Sequence, residues 1–171
     1  MLINFLRLCV KSLTSIYFYR KSPDMNQPVE QLKKSESNTT QDDFEIYIID
    51  DDPAFSFMLK DYLLSAMEMQ SKHFSTGAEF LKKYKTNDSR KIILDYEFSE
   101  GPNGLLVLQK IKELNPTAVV IVVSGQDDLE KAIDTLRNGA TDYFLKTNKT
   151  VFANIHCSLK KIIEMEKNKW N

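Results

Sequence analysis

Three consecutive aspartates, Asp50, Asp51 and Asp52, stand directly after an apolar run in the stretch "IYIIDDDP". Like charges at close range repel and raise one another's pKa values, so the cluster opposes folding unless something compensates it. A divalent cation would. Magnesium takes hard oxygen ligands, usually one or two carboxylates with waters and phosphate oxygens. An aspartate held beside that ion is also a plausible nucleophile toward phosphorus, and its product would be an aspartyl phosphate. Three further residues leave apolar runs in the same way: Asp95 after "KIIL", Ser124 after "AVVIVV" and Lys146 after "TDYFL". A hydroxyl and an amine are what developing charge on phosphoryl oxygens calls for. Singly, each has an ordinary alternative: an aspartate caps a helix, a serine makes a turn, a lysine is solvated. Chemistry requires that they converge.

Convergence depends on the elements that carry them. Residues 45–49 read as a buried strand, and Asp52 with Pro53 makes an N-cap and first helical position. Phe55, Met58, Leu59, Tyr62 and Leu63 then recur at helical spacing. Residues 70–74 form a weaker second strand, leaving into Phe74 and Ser75 without charge. Thr76 and Glu79 suit a capping box for a short helix carrying Phe80, Leu81 and Tyr84. Residues 91–94 are the third strand. Leu105, Leu108, Ile111 and Leu114 mark a helix that Pro116 stops. Residues 118–123 are unbroken apolar, as a central parallel strand covered on both faces would be. Asp127 or Asp128 caps the next helix, with Ala132, Ile133 and Leu136 inward and Gly139 at its end. Residues 141–145 are the fifth strand, and Val151, Ile155, Leu159 and Ile162 line a last helix.

Five βα units with short links predict a flavodoxin-like (βα)5 fold: a doubly wound, parallel five-stranded sheet in a three-layer α/β/α arrangement. In such sheets ligands bind beyond the carboxyl ends of the strands. Asp50, Asp51, Asp95, Ser124 and Lys146 all leave strands at that edge.

The rest of the chain narrows the function. At 171 residues there is room for one domain and some extra, and a net charge of −1 gives no global pull toward nucleic acid. Cys9 and Cys157 stand far apart, and His73 and His156 have no partner at metal-ligand spacing. Free thiols and surface or satisfied histidines are the expectation, in a cytoplasmic protein. Residues 1–21 are apolar but interrupted by Arg7 and Lys11, short of the roughly 20 residues that span a bilayer. Two readings stay open there: a basic amphipathic helix that lies on a membrane or an apolar surface, and an extension ahead of a start at Met25. Residues 22–43 read as a polar, disordered linker, and the folded domain is expected over 44–168.

The segments "IIDDDP", "IILDY", "NGLLVLQKIKELNP", "VVIVVSG" and "GATDYFLKT" together resemble the receiver domain of two-component response regulators. The resemblance implies that Asp95 accepts a phosphoryl group from a phosphohistidine on a sensor histidine kinase or phosphotransfer protein. It implies that Asp51 binds Mg²⁺ directly, that Asp50 acts largely through water, and that Glu97 lends the metal its backbone carbonyl. Lys146 would contact the phosphoryl group, Ser124 would swing toward it, and Tyr143 would be the switch aromatic that follows. Three departures accompany the match. The Met-Pro expected after the phosphoacceptor is missing, and "DYEFSEGPNG" is one residue longer before Gly104. Lys-Pro is replaced by Lys146-Thr147, whose bond is either trans with a shifted loop or cis and strained at a cost of about 2.5–4 kcal/mol, with the lysine's placement favouring cis. Glu97 adds an acid near the site.

The expectation is therefore a stand-alone receiver, a signalling switch that catalyses only its own phosphorylation and dephosphorylation and is not otherwise an enzyme. Its output would reach a downstream protein target, without direct nucleic-acid binding. One alternative keeps the fold as a phosphorylation-independent interaction domain. Another is an aspartyl-phosphate phosphohydrolase, which would place its nucleophile after the first strand in a pattern that "DDDPA" does not complete.

Overall fold

The computed structural model describes residues 45–168. The helix expected over 1–21, the linker over 22–43, Phe44 and Cys9 lie outside them. Strands and helices alternate as β1 (Ile46–Ile49), α1 (Pro53–Met67), β2 (Ser71–Phe74), α2 (Gly77–Lys83), β3 (Lys91–Asp95), α3 (Gly104–Leu114), β4 (Val120–Ser124), α4 (Leu129–Arg137), β5 (Asp142–Leu145) and α5 (Val151–Asn168). All strand pairs are parallel and the order is β2-β1-β3-β4-β5, the doubly wound sheet expected from the sequence.

The period-2 alternation of a strand sends each central strand into two cores. Tyr47 and Ile49 of β1 join Phe80, Val107, Leu108 and Ile111 from α2 and α3 on one face. Ile46 and Ile48 join Leu59, Leu63, Ile155 and Leu159 from α1 and α5 on the other. Burial on both sides is why β1, β3 and β4 read as continuous apolar runs.

Helix starts follow their caps. The Asp52 side chain accepts from the Ala54 and Phe55 amides at 2.9 and 3.2 Å, and Pro53 occupies N1. Asn103 caps α3 through the Leu106 amide, and Asp128, not Asp127, caps α4 through the Lys131 amide. Thr76 accepts from the Glu79 amide, whereas the Glu79 carboxylate pairs with Lys83. Gly139, at φ +93°, ends the α4 turn as expected.

The inward face assigned to α4 is corrected. Ile133 and Leu136 are 39% and 47% exposed, and Thr135 is the buried residue. β5 is an edge strand whose residues are themselves only half-buried, so it covers a narrow stripe of helix. Thr135 tolerates that stripe because its hydroxyl donates to the Lys131 carbonyl at 2.6 Å. Met58 of α1 and Leu114 of α3 are likewise exposed, each on the flank of its helix's buried stripe. No described helix is long and apolar enough to cross a membrane.

Candidate functional site

β1 and β3 are neighbours with Ile49 in register with Leu94, so Asp50 and Asp95 leave adjacent strands at the same level. Here the strand order reverses: β1 leads out to β2, and the chain returns on the other side of β1 as β3. Such a reversal opens the crevice in which doubly wound sheets bind ligands. Asp50, Asp51 and Asp95 each present a carboxylate oxygen there, all within 4.8 Å of one another. Asp52 turns away as the cap of α1, so the triple aspartate divides into two site residues and one structural one.

Lys146, leaving β5, crosses to this cluster. Its Nζ donates to Asp95 Oδ2 at 2.7 Å and to Asp50 Oδ1 at 2.9 Å. It also lies 2.8 Å from Asp50 Oδ2, at an angle that makes that contact coulombic and not a hydrogen bond. The face of Phe55 supports the ammonium, 4.8 Å from the ring centroid. The Lys146–Thr147 peptide is trans, which corrects the cis expectation: among the described residues no peptide bond is cis. Lys146 reaches both carboxylates from a trans bond, so nothing offsets the cost of the cis form.

Main-chain amides hold the acids in place. Asp52 N–H donates to Asp50 Oδ1 at 2.9 Å, Ser99 N–H to Asp51 Oδ2 at 2.7 Å, and Glu97 N–H to Asp95 Oδ1 at 3.2 Å. His73 Nε2 lies 2.8 Å from the Asp50 carbonyl, which can only accept, so that nitrogen carries the proton. Gly104 docks α3 onto the exit of β3. Its N–H donates to the Tyr96 carbonyl at 2.8 Å, and a Cβ there would lie 2.2 Å from the Asp95 carbonyl oxygen. The loop between Tyr96 and Gly104 is thus closed with the helix start held against the strand exit.

The electrostatics follow from burial and pairing. Burial pushes Asp95 up to about 6; the Asp50 charge adds to this, and the Lys146 hydrogen bond opposes it. Asp51 is held below the usual carboxylate range, chiefly by the Ser99 amide. Burial disfavours the Lys146 ammonium, but its hydrogen bonds to Asp50 and Asp95 outweigh that and hold it above the usual lysine range. Three carboxylates against one ammonium leave two negative charges among oxygen donors only. That donor set fits a small, hard divalent cation.

Ser124 ends β4, the strand next to β3, and Tyr143 lies on β5 in register with Val122. Ser124 Oγ accepts from the Gln126 amide at 3.1 Å and donates to the Gln126 carbonyl at 3.2 Å, so it faces its own loop. The Tyr143 hydroxyl is buried beside Ser124, with no hydrogen bond of good geometry among the described residues. Burial first, and the Glu97 charge next among the raising influences, push its pKa upward. The Glu97 side chain points to Lys131 of α4, at 3.1 Å.

Each site residue singled out in the sequence falls at or beside this crevice. The sequence reading missed Ser99, Phe55, His73 and Lys131. Ser99 acts through its amide, which no side-chain pattern reveals, and Phe55 reads as plain core at helical spacing. Lys131 stands three residues after the cap Asp128, a spacing common on any helix.

A family model described as response regulator receiver domain matches residues 46–153. The chain belongs to this family. Among curated relatives, the receiver is 27% identical over 124 residues to the transcriptional regulatory protein ZraR of Escherichia coli (strain K12), covering 72% of this chain and 27% of that one. It is 33% identical over 101 residues to the response regulator protein TodT of Pseudomonas putida, covering 59% and 44%. The chain thus spans less than half the length of these relatives. Two solved structures share the receiver fold. One is a CheY-like receiver domain protein from Methanospirillum hungatei JF-1, with TM-score 0.63, 24% identity, and 72% and 96% of the two chains covered. The other is a response regulator from Burkholderia pseudomallei with a phosphorylated aspartic acid and a calcium ion, with TM-score 0.57, 21% identity, and 74% of each chain covered.

Proposed function

We propose that this receiver is a phosphoaspartate switch in which Asp95 is the acceptor. The observation that carries the reading is the meeting of Asp50, Asp51 and Asp95 with Lys146 at the sheet's reversal point. Asp51, Asp95 and the Glu97 backbone carbonyl would hold Mg²⁺, with Asp50 acting through water. Bound there, the ion would neutralise charge on the phosphoryl oxygens and on the attacking carboxylate. The Burkholderia regulator, with its phosphorylated aspartic acid and calcium ion, supports the pairing of cation and acyl phosphate.

In the reaction, one Asp95 oxygen attacks the phosphorus of a phosphohistidine on a sensor kinase or phosphotransfer protein. The P–N bond breaks, the histidine nitrogen leaves with the bonding pair, and an acyl phosphate forms. Lys146, already bonded to Asp95 Oδ2, turns its charge to a phosphoryl oxygen. Ser124 gives up the Gln126 backbone and donates to another. Water later attacks the phosphorus, the P–O bond to Asp95 breaks, and carboxylate and inorganic phosphate return. Apart from this self-directed chemistry the protein is not an enzyme. Movement of Ser124 alters the room beside the buried Tyr143 hydroxyl and so biases the α4–β5 face, where a protein target would read the state.

Intact mass after incubation with acetyl phosphate tests the reading. A single phosphoryl adduct should form in wild-type protein with Mg²⁺, and should be absent with EDTA or in Asp95→Asn. An adduct that persists in Asp95→Asn, or none from either acetyl phosphate or a kinase donor, would overturn it.

A further inference from the structure

We propose that Lys131 is a positioning residue that draws the Glu97 carboxylate out of the phosphoacceptor pocket and fastens the β4–α4 loop to the β3–α3 loop. The inference rests on the functional reading above. Glu97 lies two residues beyond Asp95, and its own amide binds Asp95 Oδ1, so its side chain starts beside the pocket. Yet its carboxylate is not one of the three that converge there. It pairs instead with Lys131 Nζ at 3.1 Å, in a contact whose side chains are only 31% and 28% exposed. Lys131 Nζ also donates to Gln126 Oε1 at 2.7 Å, and its ammonium stands 5.4 Å from the centroid of the Tyr96 ring. Asp128 Oδ2 is at the longer distance of 3.9 Å. Two of the three ammonium protons are therefore taken by acceptors from two different loops. Gln126 is moreover the residue whose backbone holds the Ser124 hydroxyl. One cation thus restrains both the acid two residues beyond the acceptor and the loop that must release Ser124.

Removing that cation has consequences of opposite sign for two ligands. A freed Glu97 carboxylate beside Asp95 would repel the incoming phosphoryl anion and add attraction for Mg²⁺. A purely structural role for Lys131 would weaken both ligands together.

The test compares wild type, Lys131→Met, Lys131→Arg and the double variant Lys131→Met/Glu97→Gln. Calorimetric titration with Mg²⁺ alone gives the cation affinity, and intact mass against time gives the rate of acceptance from acetyl phosphate at saturating Mg²⁺. Lys131→Met should accept phosphate about three- to tenfold more slowly and bind Mg²⁺ several-fold more tightly, the range expected for directly coupled charges. Lys131→Arg should stay near wild type, and adding Glu97→Gln should return both quantities toward it. A Lys131→Met variant that matches wild type, weakens both ligands, changes only one, or keeps its defect in the double variant would overturn the proposal. Wild-type protein that accepts no phosphate would overturn the functional reading instead, and the Mg²⁺ titration would still judge the role of Lys131.

Discussion

Asp95 carries its function and its cost in the same carboxylate. With a folded value near 6, it binds a proton more tightly than in the unfolded chain, where a carboxylate sits near 4. Between those values the folded protein holds the extra proton, so Asp95's contribution to stability falls as pH rises through the window. In EDTA, Asp95→Asn should therefore exceed wild type in stability by on the order of 1 kcal/mol at pH 7, and the difference should vanish near pH 4. Thermal melts across pH 4–7 would show it; a constant difference would contradict the burial account. Mg²⁺ should reverse the order at pH 7, because it binds the ionised cluster. Lys146 is the internal counterion, and its removal leaves Asp50 and Asp95 buried without it. Lys146→Met should lower the melting temperature in EDTA, by an amount corresponding to about 2–4 kcal/mol, with much of it restored by Mg²⁺. No metal-dependent recovery would mean that the cation does not neutralise these two acids.

The elements aim these residues, and how well each was legible depends on what covers it. β1, β3 and β4 are buried on both faces, so their apolar runs end at Asp50, Asp95 and Ser124 without ambiguity. The cap and proline at Asp52–Pro53 fixed the start of α1, and hence which aspartate leaves the site. α4 was less legible, because apolar content alone does not say how wide a stripe an edge strand will cover, and Ile133 and Leu136 remain outside. The trans bond after Lys146 was hidden for another reason. The reach of a long flexible side chain to two acids depends on the placement of three strands, which no local pattern contains. Gly104 shows the coupling of element to site most directly. Because a Cβ there would strike the Asp95 carbonyl and the Tyr96 Cα, Gly104→Ala should push α3 off the exit of β3. Denaturant melts should show a loss of about 1–3 kcal/mol, with slower phosphoryl acceptance from a displaced Asp95. Unchanged stability would mean that the helix start can shift freely.

Across the whole molecule, the two ends of the sheet divide the work. At the amino-terminal end the Tyr47 hydroxyl donates to Asp88 Oδ2 at 2.7 Å, and Arg90 bonds to both. This network joins β1 to the start of β3, far along the strands from the acceptor. Asp88→Ala should cost about 2–4 kcal/mol by stripping a buried hydrogen-bonded charge, while leaving the rate of phosphoryl acceptance unchanged in the folded protein. A matching loss of rate would show that the two ends are energetically coupled. The central claim concerns the other end, that Asp95 itself carries the phosphoryl group. Borohydride reduction of acetyl phosphate-treated protein tests it most directly, because it converts an acyl phosphate to an alcohol at the modified residue alone. Peptide mass analysis should then place homoserine at position 95, only in samples given both Mg²⁺ and donor. Homoserine at Asp50 or Asp51, or at no position, would contradict the account.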